Sequence, residues 1–172
     1  RGAELDATIR TSQHFSLYGS VADTDAKYVS FTNAPVPLEE TGGPSAFKDV
    51  SGGALPGVSK WVSSIGGEFS SEESKALGQE GKYFLAFDTY YRSSFSSSPS
   101  PSRYLNINGY ALLNGRVGFK ATKGLTFFVW GRNLLNKDYF EQLLPAAGNA
   151  GQYAGVLGDP QTYGVTVRYA VR

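Results

Sequence analysis

Residues Gln161 to Arg172, QTYGVTVRYAVR, admit few folds. Tyr163, Val165, Val167, Tyr169 and Val171 fall on one side of an extended chain, and Gly164, Thr166, Arg168, Ala170 and Arg172 on the other. Strand side chains alternate between faces, so the pattern is one apolar stripe backed by a polar one. Valines between tyrosines suit a pleated surface. A packed interior rejects unpaired arginine, so the apolar side is the covered one, against either protein or lipid.

The rest of the chain decides between those two solvents. Repeated alternation predicts strands over 2–11, 14–24, 57–69, 82–92, 109–120, 125–135 and 161–172. The 57–69 stretch is the least regular, with serines and glycines on both faces. Between the strands, 26–56 is a long aperiodic stretch rich in proline and glycine. Residues 70–80 are a polar connector, 93–108 a serine- and proline-rich loop, 121–124 a short turn and 136–160 a glycine-rich loop. A 31-residue aperiodic insertion marks a functional or mobile loop.

The sequence therefore predicts an all-β, antiparallel up-and-down meander of about seven long strands. In a meander every second connection lies at the same end, so 26–56, 93–108 and 136–160 gather at one end and the shorter links at the other. Outer-membrane barrels show this asymmetry. Strands of about 9–11 residues cross a bilayer, against about 5–6 in ordinary globular sheets. Tyr83, Tyr91, Tyr163, Tyr169, Phe119 and Phe127 lie near strand ends, where aromatic belts sit. Lipid is the better solvent for the apolar face. An odd count would bring the first and last strands together in parallel, and bacterial single-chain barrels are even-stranded. Either a further strand escapes the pattern or, as expected here, the seven are a segment of a large transmembrane β-barrel. The start at Arg1, without methionine or signal peptide, reads as a processed or excised piece.

Composition removes several functions. The net charge of +1 supplies no basic footprint for nucleic acid. There is no cysteine for disulfides or thiolate metal sites, and His14 is the single histidine. No metal site, cofactor or catalytic residue is expected. Ser93 to Ser102 has no nearby base, Glu72-Glu73 is solvated charge, and His14 reads as a solvated or interfacial side chain at the short-turn end.

Two segments carry a family likeness: YALLNGRVGFK (110–120) and LTFFVWGRNLLNKDYFEQ (125–142). An asparagine on an incoming strand, a short turn, then a strand ending in Asn-Leu-Leu, an acid and Tyr resembles the C-terminal part of a TonB-dependent outer-membrane receptor. Here those positions are Asn114, Asn133-Leu134-Leu135, Asp138 and Tyr139. GAELDATIR followed by HFSLYGSVADTDAKY resembles the family's recurrent hairpin, and the closing strand resembles its assembly signal. Relatives usually end in an aromatic residue, so the resemblance places one or more residues beyond Arg172. It implies a barrel of twenty-two strands around an N-terminal plug, in the bacterial outer membrane, importing an iron-siderophore complex or another scarce nutrient with energy from TonB. On that reading residues 1–172 are the C-terminal barrel segment, with plug and N-terminal strands absent. Its partners are outer-membrane lipid, the plug and remaining strands, TonB through absent segments, and a small ligand such as a metal chelate, but no nucleic acid.

Asp88, Tyr90, Arg92, Arg116, Trp130 and Arg132 fall on the expected inner face, most simply as a hydrated or plug-facing wall. The sharper expectation is ligand contact by Arg92 and Arg132, near the loop-side ends of their strands, and by Tyr139 and Glu141. Phe84 and Phe128 put large apolar groups on the polar side, which predicts contacts with the plug or neighbouring strands. Two other functions compete: a soluble β-sandwich or small-barrel ligand-binding module, and an outer-membrane lipase or protease. Alternating arginines and ten-residue strands oppose the first. The lack of a nucleophile–base pair opposes the second.

Overall fold

A computed structural model describes residues 1–76, 78–148 and 151–171. The strands are β1 (Gly2–Arg10), β2 (Phe15–Thr24), β3 (Ala34–Pro35), β4 (Phe47–Lys48), β5 (Trp61–Ser70), β6 (Ser74–Ala76) and β7 (Gln79–Arg92). They continue with β8 (Phe95–Ser96), β9 (Asn106–Ile107), β10 (Tyr110–Ala121), β11 (Leu125–Arg132), β12 (Phe140–Pro145), β13 (Tyr153–Leu157) and β14 (Thr162–Tyr169). One 3₁₀ turn covers Leu38–Glu40.

The seven long strands form an antiparallel meander in the order β1-β2-β5-β7-β10-β11-β14. This is the architecture expected from the alternation. The differences lie in the connections. The 70–80 connector contains β6, which pairs with the first residues of β7 and lengthens that strand to Gln79. The aperiodic 26–56 stretch holds the β3–β4 pair and the 3₁₀ turn, and 136–160 holds the β12–β13 hairpin. These segments are too short or too proline-rich to show a period. The final strand is described to Tyr169, and Arg172, expected on the polar face, lies outside the described residues.

Register fixes the faces. Residues directly opposite in an antiparallel pair share a face, and the pairings chain Ile9–Leu17, Phe15–Phe69, Phe69–Leu85, Leu85–Val117, Val117–Val129 and Val129–Val165 across all seven strands. This face is dominated by apolar side chains, interrupted by Asp23 at the long-loop end and by Ser63 and Thr89. Val165 and Val167 are 62% and 63% exposed, and Leu5, Ile65 and Val117 also stand open. Among the described residues, Tyr18 is the only exposed large hydrophobic of the long strands on the opposite face. Phe69, Tyr83, Phe119, Phe127 and Tyr169 band the apolar face near the short-turn end, with Tyr83 and Phe119 edge to face at 5.1 Å. Trp61, Tyr91 and Tyr163 band it near the long-loop end.

β5 shows why its sequence pattern is weak. A Cβ at Gly66 would collide with the Tyr18 ring, which lies flat across it on the polar face. Glycine there is a ring seat rather than a break, and the strand pairs fully with β2 and β7. The β1–β2 turn, which lacks Asn-Gly, is held instead by the Ser12 hydroxyl, which accepts from the His14 and Phe15 amides at 3.1 Å. His14 itself is half-buried, 2.8 Å from Glu72 and 2.9 Å from the Ser70 carbonyl, so it joins two turns at the short end. Phe84 meets Phe128 at 6.1 Å across β10, a contact between strands.

Candidate functional site

The three long connections, residues 25–60, 93–109 and 133–161, meet at one end of the sheet. Ser100 donates to the Pro35 carbonyl, the Gly57 amide to Ser96, and the Leu143 amide to the Ser97 hydroxyl. Glu39 joins all three loops. Its Oε1 accepts from the Ser102 hydroxyl at 2.8 Å and the Arg103 amide at 3.1 Å, and its Oε2 from the Tyr153 hydroxyl at 2.7 Å. Burial pushes the carboxyl pKa up, but hydrogen bonds from Tyr153, its own amide, Ser102 and Arg103 outweigh this and hold it at about 2.

These loops fold towards the polar side of the sheet. Phe95, Ile107 and Tyr110 are buried together, with Tyr90, Leu112, Tyr139 and Leu143 packed on them. Tyr90, Leu112 and Tyr110 belong to the polar face by register, so the loops cap the top of that face and leave the apolar one bare. Tyr139 lies 4.3 Å from Tyr110 between ring centroids, and its own ring covers Gly158, where a Cβ would clash. Burial, above all, raises the Tyr139 hydroxyl above its usual range.

The asparagines of the strand motif act as a clamp. Asn114 donates to Asp88 at 2.6 Å and accepts from the Asn133 amide at 3.0 Å. Asn133 is buried with φ +49°, a left-handed conformation that asparagine tolerates. Its side chain donates to the Lys137 and Asp159 carbonyls and accepts from the Lys137 amide. One residue thus ties the exit of β11 to β10 and to the chain just before β14.

The four expected ligand residues divide. Arg92 and Tyr139 converge on the aromatic cluster. The Arg92 guanidinium lies 3.7 Å above the Phe95 ring and donates to Ser59 and to the Gly57 carbonyl, both at 2.9 Å. Arg132 sits apart on the wall, exposed, 5.3 Å from the Trp130 ring. Glu141 is exposed at the irregularity between Phe140 and Gln142 in β12. Sequence reasoning missed Glu39. Its one signal is Pro37 followed by two acids, a helix-start pattern within an aperiodic stretch. No cluster of metal-ligating side chains is present among the described residues.

A long-stranded sheet with one bare apolar face, aromatic bands at both margins and all long loops at one end defines a segment of a transmembrane β-barrel wall. The sequence profile described as "TonB dependent receptor-like, beta-barrel" matches residues 1–134, and the chain belongs to that family, whose members are transport receptors and outer-membrane barrels. In structure it is similar to the ferric yersiniabactin uptake receptor FyuA from Yersinia pestis, with a TM-score of 0.70 and 17% identity, over 98% of this chain and 23% of the receptor. It is also similar to the siderophore receptor PiuA from Acinetobacter baumannii, with a TM-score of 0.64 and 12% identity, over 98% of this chain and 21% of that one. The chain thus spans less than a quarter of either receptor. At these identities the likeness is one of fold. No curated protein sequence matches the chain significantly.

Proposed function

We propose that residues 1–172 form the C-terminal part of the barrel wall, with three outer loops, of a bacterial outer-membrane receptor that imports an iron-siderophore complex or a similarly scarce nutrient. The observation that carries this reading is the chained register. It gives seven strands one apolar face for lipid, while the long loops cap the polar side that becomes the lumen. The two structural neighbours, one named as a ferric yersiniabactin uptake receptor and the other as a siderophore receptor, support the ligand class. A plug in the lumen, TonB beneath it and the metal chelate above are the partners of the reading. Within it, Arg132 and Glu141 offer exposed charge to a ligand. Arg92 and Tyr139 hold the mouth in shape.

The test is uptake by cells carrying the intact receptor, using a panel of radio-iron chelates. The reading expects at least one ferric chelate to accumulate, and accumulation to stop when TonB is removed. Uptake that persists without TonB, or binding of no ferric chelate, contradicts it.

A further inference from the structure

Two Asn-Gly pairs occur in the chain, Asn108-Gly109 and Asn114-Gly115, and the fold holds them in opposite ways. An Asn-Gly pair is a chemically weak point, because glycine has no side chain to shield its amide from the preceding carboxamide. The two groups are already joined through the asparagine's own covalent bonds, so ring closure needs only a rotation. The rate then depends on whether the surrounding structure permits that rotation.

At Asn114 it does not. The pair lies inside β10, where Asn114 is opposite Asp88 and Gly115 opposite both Phe87 and Gly131. The Asn114 carboxamide donates to Asp88 at 2.6 Å and accepts from the Asn133 amide at 3.0 Å. Asn108 lies between β9 and β10 and belongs to neither. Asn108 and Gly109 are both exposed. Among the described residues, neither the Asn108 side chain nor the Gly109 amide has a hydrogen-bond partner. Packing accounts for the glycine. A Cβ at 109 would lie 2.9 Å from the Arg92 carbonyl oxygen and 3.1 Å from the Ser94 amide nitrogen. The close approach thus requires at 109 the one residue type that leaves Asn108 unprotected.

We propose that Asn108 is a site of spontaneous deamidation, with water as the only co-reactant, and that this modification ages the loop cap. Base removes the Gly109 amide proton, and the nitrogen attacks Cγ of Asn108. The new N–Cγ bond closes a succinimide, the Cγ–Nδ2 bond breaks, and ammonia leaves with the proton that base had taken. Water then opens the ring at either carbonyl, which leaves aspartate or isoaspartate at 108. Both products add a carboxylate where the 93–109 loop re-enters the sheet. Isoaspartate also adds a carbon to the main chain, at a point where Gly109 already touches Arg92 and Ser94. Those residues adjoin Phe95, which is buried with Tyr110, so the strain falls on the aromatic cluster of the cap.

The test holds the intact receptor in detergent and mildly alkaline buffer, with samples taken over time for brief tryptic digestion and mass spectrometry. Cleavage after Arg103 and Arg116 releases both asparagines in one peptide, residues 104–116, whose fragment ions locate the change. The folded receptor should convert Asn108 about a hundredfold faster than Asn114, whose two hydrogen bonds, one of them to a carboxylate, must break first. Receptor unfolded in urea should convert both at similar rates. Amide exchange in residues 93–109 should quicken as conversion proceeds, and Asn108→Ser should abolish that drift. Comparable rates at 108 and 114 in the folded receptor overturn the proposal. So does an Asn108 that keeps its amide while the unfolded chain converts. Exchange that ignores conversion, or that quickens equally in Asn108→Ser, overturns it as well.

Discussion

The wall and the loop cap are built from one chain, yet they treat apolar side chains in opposite ways. On the wall, Ile65, Val117, Val165 and Val167 stand open, and strand pairing holds them in place. In the cap, Ala34, Val50, Phe95, Leu105 and Ile107 are all at most 8% exposed. The cap has the inward packing of a water-soluble fold, although its strands are as short as two residues. Only a medium that accepts apolar surface lets the wall invert that arrangement. The contrast assigns a solvent to each region: lipid around the strands, water around the loops. A polar hub adds to this packing, because Glu39 joins the three loops through hydrogen bonds.

The sharpest way to break the comparison is to damage the cap alone. Phe95→Ala removes the central ring of the cluster and the surface under Arg92, a core truncation that costs about 3–5 kcal/mol. Amide exchange in residues 93–109 and 139–145 of the intact receptor should rise together, with the wall strands unchanged. Equal loosening in β11 and β14 would show that cap and wall are one core.

Damage to the wall should depend on depth. Val167→Arg is expected to reduce folding stability in lipid by about 2–4 kcal/mol, and Tyr163→Arg, at the loop-side band, by about 0–1 kcal/mol. Urea unfolding in bilayers measures both. Equal penalties would remove the bilayer from the argument.

The smallest effect sharpens the cap's side of the comparison. The Glu39 carboxyl is held at about 2, below its usual 4.5, so its contribution is complete above pH 4.5 and fades as pH falls towards 2. Proteolysis of the loops with an acid-active protease should accelerate across that window in the wild type. Glu39→Gln should show faster cleavage at neutral pH and lose the acid step. A wild-type profile flat between pH 4.5 and 2 contradicts the hub.

Legibility in the sequence follows the same divide. The wall was readable because period-two alternation is local: Tyr163 to Tyr169 or Tyr83 to Tyr91 declares its face without reference to any partner. Loop parity followed from counting. Even Asn114 and Asn133 were visible as a motif, although their mutual hydrogen bond was not. The cap was not readable, because its contacts join residues far apart in the chain. Glu39 and Tyr153 are 114 positions apart, and Ser100 and Pro35 are 65 apart. No local period encodes such pairs. Gly66 was misleading for a related reason, since its meaning lies in the Tyr18 ring on the neighbouring strand. Arg92 was legible as a charge at the mouth, but its capture by Ser59, Gly57 and Phe95 depends on two different loops.

The central claim is that the odd-numbered face of β14 meets lipid. Residues 1–172 contain no cysteine, so once any cysteine elsewhere in the intact receptor is replaced, a nitroxide can be placed singly at each position from 162 to 169 in bilayers. Collision with oxygen, which concentrates in lipid, and with a water-soluble nickel chelate is then read by electron paramagnetic resonance. The account predicts oxygen accessibility that alternates with residue parity, peaks at 165 and 167, and falls towards 163 and 169. A flat profile, peaks at even positions, or nickel access at 165 and 167 as high as at 162 would contradict it.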